Sequence, residues 1–277
     1  MEQKMNKILL IISCITLLSC NDKKNTPEET PITEIKVDGA ISYELLEKDL
    51  ECNGKSYKYS IPNFNSKTAA DKVLNDPITG LITRDFIDVT YVQGTPLKNL
   101  FDILTNRRER VLCRDQKNEG LLDLNTVFVS DVEKFTSYEL KYTRGNEKGR
   151  LLKTFLKPEL KEIHLSDLVP ENKKGDIKII FDANLQQAVA NLINEIPGGD
   201  LQNKFIEHVR NTAFQFDPKD FENSGLAFQF NSEISKNLRL SKKVELPREF
   251  DFLNDTVIVE IDAYQLTHYL DLSRIIN

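Results

Sequence analysis

The chain has no tryptophan, only two methionines, three histidines and four cysteines in 277 residues. The histidines His164, His208 and His268 stand far apart and form no H-x-x-x-H or H-E-x-x-H pair. A histidine-held catalytic metal is therefore not expected, and no metal or cofactor is assigned. No G-x-S-x-G elbow occurs, so a serine hydrolase is unsupported. Gly198-Gly199 is not followed by the lysine and hydroxyl residue of a phosphate loop. Asp217, Asp220 and Glu222 cluster, but without the alternation and turn glycine of a calcium loop. An Asp-Pro turn leading into a strand is the better account of them. Carboxylates are so plentiful that no pair for glycoside cleavage stands out, and no catalytic residue is assigned. A basic excess is also missing: 37 Lys and Arg face 43 Asp and Glu, a formal charge of −6. Nucleic-acid binding needs a basic footprint and is not expected. Finally, no run reaches the ~20 apolar residues of a membrane-spanning helix.

What is present begins with Lys4 and Lys7, followed by an apolar run from Ile8 to Leu18. A basic segment and then a short apolar one is the layout of a signal peptide. Its ending, Leu17-Leu18-Ser19-Cys20, resembles the lipobox of bacterial lipoproteins. The resemblance implies that residues 1–19 are removed, that Cys20 is acylated, and that the body is lipid-anchored in the bacterial envelope. The outer membrane, with the body facing the periplasm or the cell surface, is the expected place. Residues 20–31, polar with two prolines, read as a flexible tether. Loss of Glu2, Lys4 and Lys7 with the leader brings the mature body to a net charge of −7. Such a body attracts basic partners at long range. Cys14 falls in the leader and Cys20 carries the lipid, which leaves Cys52 and Cys113 in an oxidising compartment. They form either a disulfide or two separately buried thiols.

Along the body, periodicity predicts an α+β fold, with antiparallel sheet packed against helices. Asn53-Gly54 lies between two strand-like runs and marks a hairpin. A short helix capped by Ser66 and ending near Pro77 is expected next. Thr95-Pro96 opens a second helix, with Leu97, Leu100, Phe101 and Leu104 on one face. Its Arg107, Arg108 and Arg110 read as a solvated basic face near the helix C-terminus, where the macrodipole favours cations. Residues 125–168 read as an antiparallel meander, with Gly145 and Gly149 bracketing a turn. The stripe Phe181, Leu185, Val189, Leu192 and Ile196, stopped by Pro197-Gly198-Gly199, predicts the first half of an αα-hairpin. Asp200 opens the second half. Strands at Leu226–Phe230 and Val257–Ile261 follow, then a short terminal helix capped by Asp262.

Three stretches, KEIHLSDLVPEN (161–172), FQFDPKDFENSGLAFQFN (214–231) and VIVEIDAYQLTHYL (257–270), resemble one family. This is the RsiV-type extracytoplasmic domain, also found beside the deacetylase-associated domain of the PdaC type. The matching positions are Leu165, Asp167 and Leu168; Phe216, Asp220, Phe221, Gly225, Leu226, Phe228 and Phe230; and Val259, Tyr264, Leu266 and Leu270. Residues 125–277 are accordingly read as the RsiV-like domain. Residues 32–124 are read as an N-terminal α+β region that weakly resembles the PdaC-associated one. The sequence departs from the family at YELKYTRGNEKGRLL, where an aromatic and glycine-rich strand with a histidine is the family pattern. The resemblance implies an envelope module that binds a protein, such as a lysozyme-like muramidase, or peptidoglycan. A glycan-acting enzyme using carboxylates and a structural or assembly lipoprotein are the alternatives.

Overall fold

A computed structural model describes residues 33–36, 41–65, 69–86, 94–117, 119–157, 160–230 and 236–273. Cys20, the expected tether and Ser66, the expected cap of the first helix, lie outside the described residues. The fold is α+β, with two sheets packed against helices.

The first strands are β1 (Thr33–Lys36), β2 (Ser42–Cys52) and β3 (Lys55–Phe64). Asn53 and Gly54 join β2 to β3 with φ of 54° and 76°. Two left-handed residues in a row are what a tight type I′ hairpin demands, and Asn-Gly supplies them at little cost. Helices α1 (Ala69–Thr83) and α2 (Leu97–Glu109) then cross over to β4 (Leu121–Asp131). This crossover makes β3 and β4 a parallel pair, since parallel neighbours need a long connection. Helix α1 does not end at Pro77 but runs through it. Ile78, Leu81 and Ile82 beyond the proline are buried, and their burial outweighs the proline penalty of about 3 kcal/mol.

Strands β5 (Phe135–Arg144), β6 (Glu147–Leu156) and β7 (Lys161–Glu162) complete a seven-stranded sheet in chain order. The sequence-derived boundary at 124/125 falls inside β4. Gly145, with φ of 56°, makes the β5–β6 turn. Gly149 lies inside β6 rather than bracketing that turn, opposite Tyr142. The Tyr142 ring occupies the space a side chain would take there, so only glycine fits. The expected strand over KEIHLSDL breaks after Glu162, and α3 (Leu165–Leu168) follows as a single turn. Asp167 causes this by accepting the His164 N–H at 2.8 Å, a reciprocal N-terminal cap.

Helix α4 (Lys174–Ala190), a 3-10 turn (Asn191–Glu195) and α5 (Asp200–Asn211) form the αα-hairpin. The short helix α6 (Asp220–Asn223) leads into β8 (Leu226–Phe230). Strand β9 (Lys236–Lys243) and β10 (Thr256–Asp262) close an antiparallel sheet in the order β10-β9-β8. The centre of that sheet, β9, is missing from the sequence reading. KNLRLSKK carries four cations and looks like a loop, yet Leu238, Arg239 and Leu240 are all buried.

Helices α1 and α2, the large sheet, the small sheet and α4 stack in that order. Alternation along β5 shows this directly. Tyr138 donates to the Leu74 carbonyl of α1 at 3.1 Å. Its neighbour Ser137, on the opposite face, accepts the Phe228 N–H of β8 at 3.2 Å. Two apolar cores result, one between α1–α2 and the large sheet and one between α4 and the small sheet. The residues that carry the family resemblance, including Phe216, Phe221, Leu226, Phe228 and Val259, build the second core. Gly225 lets β8 approach Ser241 and Leu152 closely. The acidic cluster at 217–222 is a turn clamped by Lys242, whose Nζ lies 3.4 Å from Asp217 and 2.5 Å from Asp220.

Cys52 and Cys113 form a disulfide with Cα atoms 4.8 Å apart, tying the end of β2 to a π-helical turn after α2. The basic face expected on α2 is only partly solvated, because Arg108 is buried. It donates to the Glu119 carbonyl and lies 4.0 Å from Asp85, which accepts the Leu121 N–H and the Arg144 Nε–H. Gly120, φ 72°, sits against Arg108 and Asp85. A methyl group there meets both a forbidden backbone angle and the guanidinium. Gly120→Ala should therefore lower stability by about 1–3 kcal/mol in urea unfolding.

Candidate functional site

The two sheets meet across a polar seam. Register places Ala227, Arg239 and Glu260 side by side on the small sheet. The opposing face of the large sheet carries Ser137, Glu139 and Thr154. Glu139 is fully buried and holds Arg239 through one carboxylate oxygen and Arg150 through the other, the latter at 3.4 Å. Arg239 also stacks over Phe128, 5.2 Å from the ring centroid, and lies 3.5 Å from Glu260. Burial raises the pKa of Glu139 above its ordinary value, against the pull of Arg239, Arg150 and Lys141. Burial likewise lowers that of Arg150, with Glu139 opposing.

Past this seam the large sheet is no longer covered. Register pairs Glu47 with Ser60, Ser60 with Asn125, Asn125 with Lys141 and Lys141 with Arg150. Cross-strand partners share a face, so one polar row runs over five strands. Two residues along, Asp49, Lys58, Asp123, Thr143 and Lys148 make a second such row on the same face. The Lys58 N–H donates to Asp123 at 2.9 Å, which binds β3 to β4 at that level.

A cleft of about 280 Å³ lies on this face, floored by β4–β6. Glu195, from the turn after α4, and Asn254, from the loop before β10, help to line it. Lys141, Lys148 and Arg150 face Asp123 and Glu195 within it. Lys148 donates to the Phe252 carbonyl at 3.0 Å. Lys141 is exposed and makes no ion pair among the described residues. Arg150 contacts Glu139 through Nη1, whereas its buried Nε has no hydrogen-bond partner among the described residues. The same holds for Asn125 Oδ1. A larger cavity of about 600 Å³ adjoins at Lys148. It is the weaker candidate, because its Lys243 already pairs with Asp255 at 3.1 Å.

None of the cleft residues stood out in the sequence, where Asn125 and those from Lys141 to Arg150 fell within the stretch read as a meander. The available signal was polar residues at alternate positions on three successive strands: Asp123 and Asn125, Lys141 and Thr143, Lys148 and Arg150. This is also where the chain departs from the RsiV-type pattern. Elsewhere, His164 caps α3 and His208 packs edge-on against Phe214. Among the described residues no three His, Cys, Asp or Glu side chains gather as metal ligands. The large exposed apolar side chains, Val73, Ile103, Val127, Ile179, Phe252 and Tyr264, each sit on a different element. No described helix is long and apolar enough to cross a membrane.

No protein-family model matches the chain, and no curated protein is significantly similar to it. Among solved structures it is similar to a DUF3298 family protein from Pseudomonas aeruginosa PAO1, at 14% identity and a TM-score of 0.48. That match covers 87% of this chain and 99% of the other. A DUF3298 family member from Bacteroides fragilis NCTC 9343 is similar at 13% identity and a TM-score of 0.42, over 85% and 95% of the two chains.

Proposed function

We propose that the protein is a lipoprotein of the bacterial envelope, anchored through Cys20, whose body binds a partner without transforming it. The favoured partner is the wall glycan, and a basic muramidase is the other candidate. The observation that carries the reading is the polar half-face of the large sheet. Antiparallel sheets often leave one face to water, but the uncovered half here holds a cleft with cations from adjacent strands. Scattered apolar side chains on separate elements give less support to an assembly role, which calls for a contiguous patch.

The experiment has two arms. Chain carrying Cys20→Ser should leave the membrane pellet for the soluble fraction. The soluble chain, mixed with purified peptidoglycan sacculi, should sediment with them. Retention on immobilised lysozyme instead of sacculi would replace glycan by protein as the partner. Retention on neither, at low and at physiological salt, would defeat the binding reading.

A further inference from the structure

We propose that the cleft over β4–β6 is a carboxylate-binding site, held by Arg150, Lys141 and Lys148. The inference rests on the wall-ligand reading and names the group that is recognised.

Like charges placed directly opposite each other on a sheet destabilise it. Lys141 and Arg150 are such a pair, and Lys148 projects from the same face one pleat away. Glu139 meets only part of this charge, since it also holds Arg239. Its contact with Arg150 is through Nη1, and the Arg150 side chain stays 21% exposed. A partly exposed guanidinium donates charge-assisted hydrogen bonds to a carboxylate. Lys141, exposed and flexible, can close on the same anion. Asn125, beside Lys141 in the row, lines the cleft between these cations and Asp123.

Three cations against Asp123 and Glu195 suit a single negative charge better than the double charge of a phosphate monoester. At about 280 Å³ the cleft admits one sugar or amino-acid unit. The fitting ligand is therefore a sugar–amino acid unit that carries one carboxylate, presented by a longer polymer.

The test uses the Cys20→Ser chain and isothermal titration with two probes. N-acetylmuramyl dipeptide carries the carboxylate; N,N′,N″-triacetylchitotriose is neutral, with acetamido sugars but no carboxylate. The dipeptide should bind, more weakly as salt rises, and at least about tenfold more tightly than chitotriose, the value of one charge-assisted hydrogen bond. Lys141→Glu, at an exposed position that folding tolerates, should weaken the dipeptide by about tenfold or more. Lys72→Glu, the same charge change on α1 across the sheet, should leave it unaltered. Equal binding of chitotriose, no binding of the dipeptide, or wild-type affinity in Lys141→Glu would each overturn the assignment. If sacculi still retain the wild-type chain in that event, the carboxylate site alone falls. If sacculi are not retained either, the wall-ligand reading falls with it.

Discussion

Arg239→Met should destabilise the protein by about 3 kcal/mol, read as a lower urea midpoint at neutral pH. Glu139 is fully buried between the sheets, and Arg239 is nearly so. Methionine fills much of the space but removes the charge, which strands the buried Glu139 carboxylate with only Arg150 at 3.4 Å. Breaking a buried pair on one side costs far more than the pair contributes, because desolvation of the remaining ion is no longer offset. The companion variant Glu139→Leu/Arg239→Met removes both charges together. It should come within about 1 kcal/mol of the wild type or exceed it, since Arg150 is partly exposed and can turn toward the cleft. A single variant no worse than the double would refute the account, and the cycle measures the coupling directly.

Glu139 itself carries a pH signature. Burial raises the folded-state pKa of Glu139 above its ordinary value. Between the unfolded and folded values, the folded chain holds a proton that the unfolded chain has released. Stability from this group is thus fully present below the unfolded pKa and is lost as pH rises through the folded one. Glu139→Gln should flatten that component of the acid-side stability profile.

Loss of the disulfide should have an effect of similar size. The bond between Cys52 and Cys113 spans 61 residues of chain, and a loop of that length stabilises by about 4 kcal/mol in the chain-entropy model. Its position adds to the consequence, because it clamps the end of α2 to the β2–β3 hairpin. Asn53 Nδ2 donates to the Leu112 carbonyl at 3.4 Å beside it. The Cys52→Ala/Cys113→Ala chain should unfold with a correspondingly lower urea midpoint, and reductant should shift the wild type but not the variant. A loss below about 1 kcal/mol would show that the crossover is held by its core instead, through Leu97, Leu100, Phe101 and Leu104.

Local chemistry made several elements legible in the sequence. Asn53-Gly54 specified its hairpin because few residue pairs accept two left-handed conformations. The stripe from Phe181 to Ile196 specified a helix and the Pro-Gly-Gly stop after it. Leu226, Phe228, Val257, Val259 and Ile261 specified strands through alternation, and Asp262 caps the turn after β10 by accepting the Tyr264 N–H at 2.9 Å. In each case the deciding interaction lies within a few residues of its cause.

Other features depended on residues distant in the chain. Pro77 stays in a helix because the apolar residues after it are buried by the sheet. Arg108 leaves the solvated face because Asp85 and Glu119 come to meet it. The charged strand β9 forms because Leu238 and Leu240 reach one core while Arg239 meets Glu139, 100 residues away.

By itself, then, the sequence determined the α+β class, the hairpin turns, the αα-hairpin and the residues available for the second core. Turn chemistry and hydrophobic period act over one or two turns of chain, and they need no partner to be read. The tertiary structure alone decided the parallel β3–β4 pair, the polar seam and the cleft. Those depend on strand register and on which face the small sheet covers. Register aligns Asn125, Lys141 and Arg150 across three strands, and packing leaves that row open. Neither is a property of any single stretch of sequence.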